Sequence, residues 1–196
     1  MRLKTFNIYG AIIYIGYALL VTKTKLFSGL DTVIIKMVKM LPIEFISKTF
    51  STIFDPKLIL IYLLILCCYW LLFKKDLSGA IILGLYTVLG FAINYILKDG
   101  LQRARPIGHL ASDNGFSFPS GHSFGVVLLM GAILLTFFMA KNTLIKTIAV
   151  VIIILVGLAR IYMGAHYPTD VIGGIALGYL IYQNMKRTSL GYDYTK

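Results

Sequence analysis

Six apolar blocks, at roughly residues 6–21, 58–73, 77–97, 122–140, 144–158 and 171–185, dominate this sequence of 196 residues and constrain its fold more than any other feature. A helix rises about 1.5 Å per residue, so about 20 residues cross a hydrocarbon layer of roughly 30 Å. The third and fourth blocks reach about that length; the others must borrow flanking residues or tilt little. One short apolar block reads as a core helix of a soluble domain. Six do not, because hydrophobic residues make up 58% of the chain and charged ones 14%, against about 45–50% and about 25% in soluble domains. Too little polar surface remains to cover them in water. The sequence therefore predicts an all-α integral membrane protein with six transmembrane helices, residues 1–196 forming a single membrane-embedded domain.

Between the first two blocks, Thr32, Lys36 and Lys39 fall on one side of a helical register while Val33, Ile34, Met37, Val38 and Leu41 fall on the other, and Pro42 ends it. This predicts an amphipathic interfacial helix between the first and second spans, with its lysines at the headgroups. The first block follows Arg2 and Lys4 as a secretory signal would. Thr22-Lys23-Thr24-Lys25 then stands where a small-residue cleavage site is needed, so the block is expected to remain as a span.

The balance of 19 Lys and Arg against 8 Asp and Glu, a net charge of +11, would suit nucleic acid in a soluble chain. On a chain this apolar it points to lipid headgroups, so the expected partners are the bilayer and a lipid, with no nucleic acid. Glu44 is the only glutamate, which leaves little material for a carboxylate-built metal centre. Cys67 and Cys68 are adjacent and cannot form an unstrained bridge. With six spans, Arg2, Lys4, Lys74, Lys75, Lys141, Lys146, Lys186, Arg187 and Lys196 share one side in short segments. The positive-inside bias then puts both termini in the cytoplasm and the loops after the third and fifth spans outside the cytoplasmic membrane.

Those outward loops carry three clusters. The first, Lys98 to Pro106 with Arg103 and Arg105, reads by itself as a positively charged interfacial cap, although anchoring alone does not favour cations on the outer side. The second, Phe118-Pro119-Ser120-Gly121-His122, is ordinary helix-start punctuation. It also exposes backbone N–H groups at the positive end of a helix dipole, an anion site with His122 in the first turn. In the third, Arg160 to Asp170, His166 and Asp170 stand four apart at a helix start, a spacing that brings an imidazole and a carboxylate onto one face. A carboxylate on one ring nitrogen leaves the other as a nucleophile; the competing reading makes Asp170 a cap and leaves Arg160 and His166 unexplained. Three cations, a helix N-terminus, two histidines and one carboxylate suit a tetrahedral or trigonal-bipyramidal phosphate.

Lys98 followed by six residues and Arg105-Pro106, then Pro119-Ser120-Gly121-His122, then Arg160 followed by five residues, His166, three residues and Asp170, resembles the three-part signature of the type 2 phosphatidic acid phosphatase family. That family includes bacterial phosphatidylglycerophosphate and undecaprenyl pyrophosphate phosphatases. One departure is Ala159, where the family usually has Ser before the arginine of its third motif. The resemblance implies a metal-independent, cofactor-free lipid phosphatase in which His166, held by Asp170, attacks phosphorus and forms a phosphohistidine. It further implies that His122 protonates the leaving oxygen and then activates water, and that Lys98, Arg105, Ser120, the Gly121 backbone and Arg160 bind the phosphate oxygens. His109 and Arg103 fall outside the signature and receive no role. Phosphatidylglycerophosphate, undecaprenyl pyrophosphate and phosphatidic acid all fit as substrates. The competing functions are a lipid phosphotransferase of the same fold and a non-enzymatic phospholipid transporter; the transporter leaves both histidines unexplained. The oligomeric state is not legible.

Overall fold

Side-chain caps mark where several of the helices start. The computed structural model describes residues 8–109, 113–138 and 142–191. Among them are eight α-helices and no strand: α1 (Ile8–Lys23), α2 (Ser28–Lys39), α3 (Glu44–Ile53), α4 (Pro56–Leu72), α5 (Leu77–Leu101), α6 (Gly121–Ile133), α7 (Thr143–Tyr162) and α8 (Pro168–Gly191), with a short π-helical segment, Leu134–Phe138, continuing α6. Asp55 caps α4 by accepting from the Lys57 amide at 2.9 Å, with Pro56 in the first turn. Asp76 caps α5 through Gly79 N–H at 2.9 Å, and Asn142 caps α7 through Ile145 N–H at 3.2 Å. At the far end of α5, Gln102 adopts a left-handed conformation with φ 52° and turns the chain away one residue past the helix.

α6 is the central helix. Ten of its thirteen residues are buried, and it packs most closely on α8. Glycine makes that approach possible: a Cβ on Gly174 would lie 2.4 Å from the Ser120 carbonyl oxygen, and one on Gly178 would lie 2.7 Å from that of Phe124. α4 packs on α5 and α6, α3 on α7, and α1 on α8. The outer faces of α5 and α7 expose Val88, Tyr95, Ile96, Val150 and Ile154, an apolar exterior suited to lipid.

Within the described residues each of the six apolar blocks is helical for most of its length, but the expectation of six transmembrane helices is corrected. Two helices, α5 with mean hydropathy 2.0 and α7 with 2.5, are long and apolar enough to cross a membrane alone. Two bent pairs, α1 with α2 at 83° and α3 with α4 at 48°, pass only if each pair counts as one broken span, so among the described residues the number is two and at most four. The reason is length and polarity. α1 and α4 have 16 and 17 residues, α6 has 13 before its geometry changes to π-helical at Leu134, and the second half of α8 carries Gln183, Asn184, Lys186 and Arg187. The chain is a multi-pass membrane protein of all-α architecture.

The segment expected to form an interfacial helix is helical as α2, but it pairs with α1 and packs into the bundle rather than standing apart as a surface element. Val38 packs with Ile161 and Val171, backed by Ile34 and Ile35, while Met37 and Val33 remain exposed. The second short helix, α3, was not anticipated by the sequence reading. Arg2, Lys4, Lys141 and Lys196 lie outside the described residues.

Candidate active site

The C-terminal ends of α5 and α7 and the N-terminal ends of α6 and α8 meet at one end of the bundle, which gathers the three clusters. Phe118 anchors the turn into α6: it is fully buried against Tyr14 and Tyr17, and a Cβ on Gly173 would meet its ring at 2.4 Å. Behind it, Ser120 N–H donates to the Asp170 carbonyl at 3.1 Å, fastening the start of α6 to the start of α8. The Ser120 hydroxyl oxygen accepts from Ser123 N–H at 3.4 Å and from Ser123 Oγ at 3.0 Å, so its own proton remains for another acceptor.

His166 is 2% exposed, and its Nδ1 lies 2.8 Å from the Ser117 carbonyl oxygen. A carbonyl only accepts, so Nδ1 carries the ring proton and Nε2 holds the lone pair. Nε2 is 3.4 Å from Arg105 Nη1. Burial drives the His166 imidazole down to about 4, with Asp170 opposing and Lys98 and Arg105 assisting, so the ring is neutral near neutral pH.

Asp170 faces the same ring but stands 3.9 Å from Nδ1. The sequence spacing suggested a carboxylate fixing the tautomer; in the structure the Ser117 backbone carbonyl occupies that position. Asp170 instead organises what surrounds the ring. Its Oδ2 accepts from Ser117 Oγ and, at 2.8 Å, from Tyr167 N–H, and its Oδ1 accepts from Arg103 at 2.5 Å. Burial alone would raise Asp170; His166, Arg103 and Ser117 hold it below the ordinary carboxylate value.

The cations converge on the loop between α5 and α6. Arg105 donates to the carbonyls of Asn114 at 2.9 Å, Gly115 at 3.0 Å and Ala165 at 2.7 Å, and Lys98 donates to that of Phe116 at 2.8 Å. Four consecutive carbonyls, 114 to 117, thus each receive a donor from the site. Arg160 is 6% exposed and donates to Asp113 Oδ1 at 2.5 Å; its Nε and the Asp113 Oδ2 are buried without a partner among the described residues. The Arg160 carbonyl also accepts from Ala165 N–H at 3.1 Å, tying the third motif to the His166 turn.

His122 lies across the site. Its Nε2 is 3.2 Å from the Ser51 carbonyl and 4.0 Å from Asp55 Oδ2, both beyond its own motif. Nε2 therefore carries a proton, and Nδ1 is the nitrogen that exchanges one. Burial, then Arg160 and His166, lower the His122 imidazole well below its usual value. His109, by contrast, is occupied with the Pro106 carbonyl at 2.9 Å.

All eight residues singled out by the sequence lie at this end of the bundle. The sequence reading missed Ser117, Asp113, Asp31, Thr169 and Asp55, and named Arg103 without giving it a role. Ser117 acts partly through its backbone carbonyl, which leaves no trace in residue type, whereas Arg103 and Asp31 had a readable signal: charged residues beside apolar helices need partners. Among the described residues, no three His, Cys, Asp or Glu are grouped so as to hold a metal ion.

The sequence model of the PAP2 superfamily matches residues 79–189. The chain belongs to the PAP2 superfamily. It is 36% identical over 121 residues to phosphatidylglycerophosphatase B of Bacillus subtilis (strain 168), covering 56% of this chain and 58% of that protein. It is 32% identical over 134 residues to undecaprenyl-diphosphatase BcrC of the same organism, covering 63% of this chain and 65% of that one. The chain thus spans about three fifths of the length of the curated relatives it matches. In fold it is similar to the crystal structure of a transmembrane PAP2 type phosphatidylglycerolphosphate phosphatase from Bacillus subtilis, with a TM-score of 0.82 at 24% identity over 96% of this chain and 98% of that one. The PAP2 match contains all three clusters.

Proposed function

We propose that this PAP2 chain is a lipid phosphatase of the cytoplasmic membrane, removing the terminal phosphate of a membrane lipid phosphate or pyrophosphate through a phosphohistidine on His166. The observation that carries the reading is the state of His166: a buried, neutral imidazole with its Nδ1 proton committed to Ser117 and its Nε2 lone pair beside Arg105. In the first step the Nε2 lone pair attacks phosphorus, the bond from phosphorus to the lipid oxygen breaks, and the leaving oxygen takes a proton from Nδ1 of protonated His122. His122 enters this step as an imidazolium, favoured once a phosphate dianion offsets Arg160 and Lys98, while its Nε2–H stays on Ser51. In the second step Nδ1 removes a proton from water, the oxygen attacks phosphorus, and the P–N bond breaks to release phosphate and restore neutral His166. Lys98, Arg105 and Arg160, with the Ser120 hydroxyl and the N–H groups at the start of α6, stabilise the equatorial oxygens. Because these cations supply the electrostatic stabilisation, the mechanism assigns no step to a metal.

The names of two relatives, with the family resemblance of the three motifs, set the substrates to try. Purified protein is expected to release phosphate from at least one of phosphatidylglycerophosphate, undecaprenyl pyrophosphate, phosphatidic acid and diacylglycerol pyrophosphate, to retain activity in EDTA, and to lose it entirely in His166→Ala. Full activity in His166→Ala, or complete loss in EDTA restored by magnesium, would overturn the mechanism. Phosphate that appears only when a lipid or sugar alcohol is supplied, and then on that alcohol, would make the protein a phosphotransferase.

A further inference from the structure

Arg103 lies outside the three motifs, yet its guanidinium is held from three sides. Nη1 donates to Asp170 Oδ1 at 2.5 Å and to Thr169 Oγ1 at 2.7 Å, Nη2 donates to Asp31 Oδ2 at 2.8 Å, and the group sits 4.3 Å over the Tyr167 ring. Asp31 belongs to α2 and is 1% exposed. It also accepts from Thr169 N–H at 3.0 Å and from Thr169 Oγ1 at 2.8 Å. One cation therefore bridges two buried carboxylates, one on α2 and one on α8.

The Asp170 end of this bridge reaches His166. Asp170 holds the Ser117 hydroxyl and the Tyr167 amide; Ser117 supplies the carbonyl that fixes the ring tautomer, and Tyr167 follows His166 in the chain. Burial alone would lower the Arg103 guanidinium, but Asp170 and Asp31 outweigh it and hold it above its usual value, so the bridge stays charged. Arg103 also offsets Asp170. A carboxylate left unscreened 3.9 Å from Nδ1 would favour the imidazolium and put a proton on the nitrogen that must attack. A buried ion pair adds little net stability over apolar residues of the same volume, so the bridge matters more for placement and charge than for holding the fold.

We propose that Arg103 and Asp31 are positioning residues for His166: α2, docked through Asp31, locks Arg103 onto Asp170 and thereby keeps the His166 ring aligned with its Nε2 unprotonated. The inference rests on the phosphatase reading for its kinetic consequence, but the state of the ring can be read without any substrate.

The experiment combines ¹⁵N-histidine NMR of the full chain in detergent micelles with kinetics on the four lipids named above. Arg103→Met is expected to move the His166 titration upward by about one pH unit. It is also expected to lower kcat on the order of 10–100-fold with KM nearly unchanged, because a misplaced reacting group costs rate rather than binding. The other charges around the site, Lys98, Arg105, Asp113, His122 and Arg160, are untouched. Arg103→Lys keeps the charge but loses the fork, and Asp31→Asn loosens the fork from α2. Each is expected to lower kcat at least about tenfold without the upward titration shift, and the double variant is expected to fall no further than the worse single one. An unmoved His166 titration in Arg103→Met overturns the inference. If that variant does not fold, additive losses in Arg103→Lys and Asp31→Asn, or wild-type kcat in either, overturn it instead. A wild-type protein that hydrolyses none of the lipids counts against the proposed function, and the NMR titration still decides the role of Arg103.

Discussion

His122 and His166 differ in which ring nitrogen is committed to a backbone carbonyl, and this assigns their work. His166 gives Nδ1–H to Ser117 and keeps Nε2 for attack, while His122 gives Nε2–H to Ser51 and keeps Nδ1 for proton exchange. A substrate with a good leaving group needs no general acid in the first step. In His122→Gln such a substrate is expected to phosphorylate His166 and stop, since loss of general base assistance slows the second step by about 10²–10⁴-fold. Phosphorylation read by radiolabelled phosphoryl transfer in this variant isolates the nucleophile. The folded imidazole of His166 protonates only at about 4, and its protonation removes the attacking lone pair. Phosphorylation of His122→Gln by the substrate with a good leaving group, which depends on His166 alone, is therefore expected to stay level as pH falls from about 7 to about 5 and to decline toward 4. Decline already centred near the free histidine value, about 6.5, or label on His122 in a His166→Ala protein, would reverse the assignment. The eight candidate residues could be named from the sequence because the spacing of the three clusters resembles a known signature, and the structure gathers them at one end of the bundle. The sequence did not carry the Ser117 carbonyl, nor the Asp55 and Ser51 contacts to His122, since these depend on where α3 and α4 come to rest.

Helix identity was legible from apolar composition, and membrane crossing was not, because crossing depends on unbroken length. The first block meets a turn after Lys23 and bends by 83° into α2, and the fourth loses α-helical geometry at Leu134. α3 escaped notice because its ten residues mix Glu44, Lys48 and four hydroxyl side chains with the apolar ones. The most consequential element contact, α8 against α6, is written in glycines whose meaning appears only in three dimensions. Gly174→Ala would place a methyl group 2.4 Å from the Ser120 carbonyl oxygen, a backbone atom that cannot turn aside. It is expected to destabilise the protein by about 1–3 kcal/mol and to lower activity as well, because Ser120 and Asp170 are fastened to each other at that contact. Gly16→Ala, in α1 with nothing within 4 Å of the new methyl, is expected to leave stability unchanged or raised by about 0.5–1 kcal/mol through the better helix former. Thermal unfolding in detergent compares the two; equal melting temperatures would mean that α6 and α8 can part without cost.

At the scale of the whole molecule, the question is which side of the membrane the site faces, and the two helices that cross unbroken bear on it most directly. α5 and α7 both end at the site. The cations at those ends are engaged within the protein: Lys98 with the Phe116 carbonyl and Arg160 with Asp113. They report on the site's chemistry rather than on membrane orientation. At the opposite ends, Lys74 and Lys75 precede α5 and Lys146 lies in the first turn of α7. Lys186 and Arg187, near the end of α8, belong to that same end of the bundle, because α8 starts at the site and runs away from it. Exposed lysines flanking unbroken helices favour the cytoplasmic side. Lys23, Lys39 and Lys57 are also exposed near the site but belong to the long segment from the end of α1 to the start of α4. From the lysines flanking α5 and α7 we therefore expect the far end to face the cytoplasm and the site to face outward. In a background with Cys67 and Cys68 replaced by Ser, Ile107→Cys places a thiol at a fully exposed position beside the site, and Lys74→Cys places one at the other end. A membrane-impermeant maleimide is expected to label Ile107→Cys in intact cells and Lys74→Cys only after permeabilisation. The reverse pattern would put the site in the cytoplasm and require its lipid phosphate on the inner leaflet.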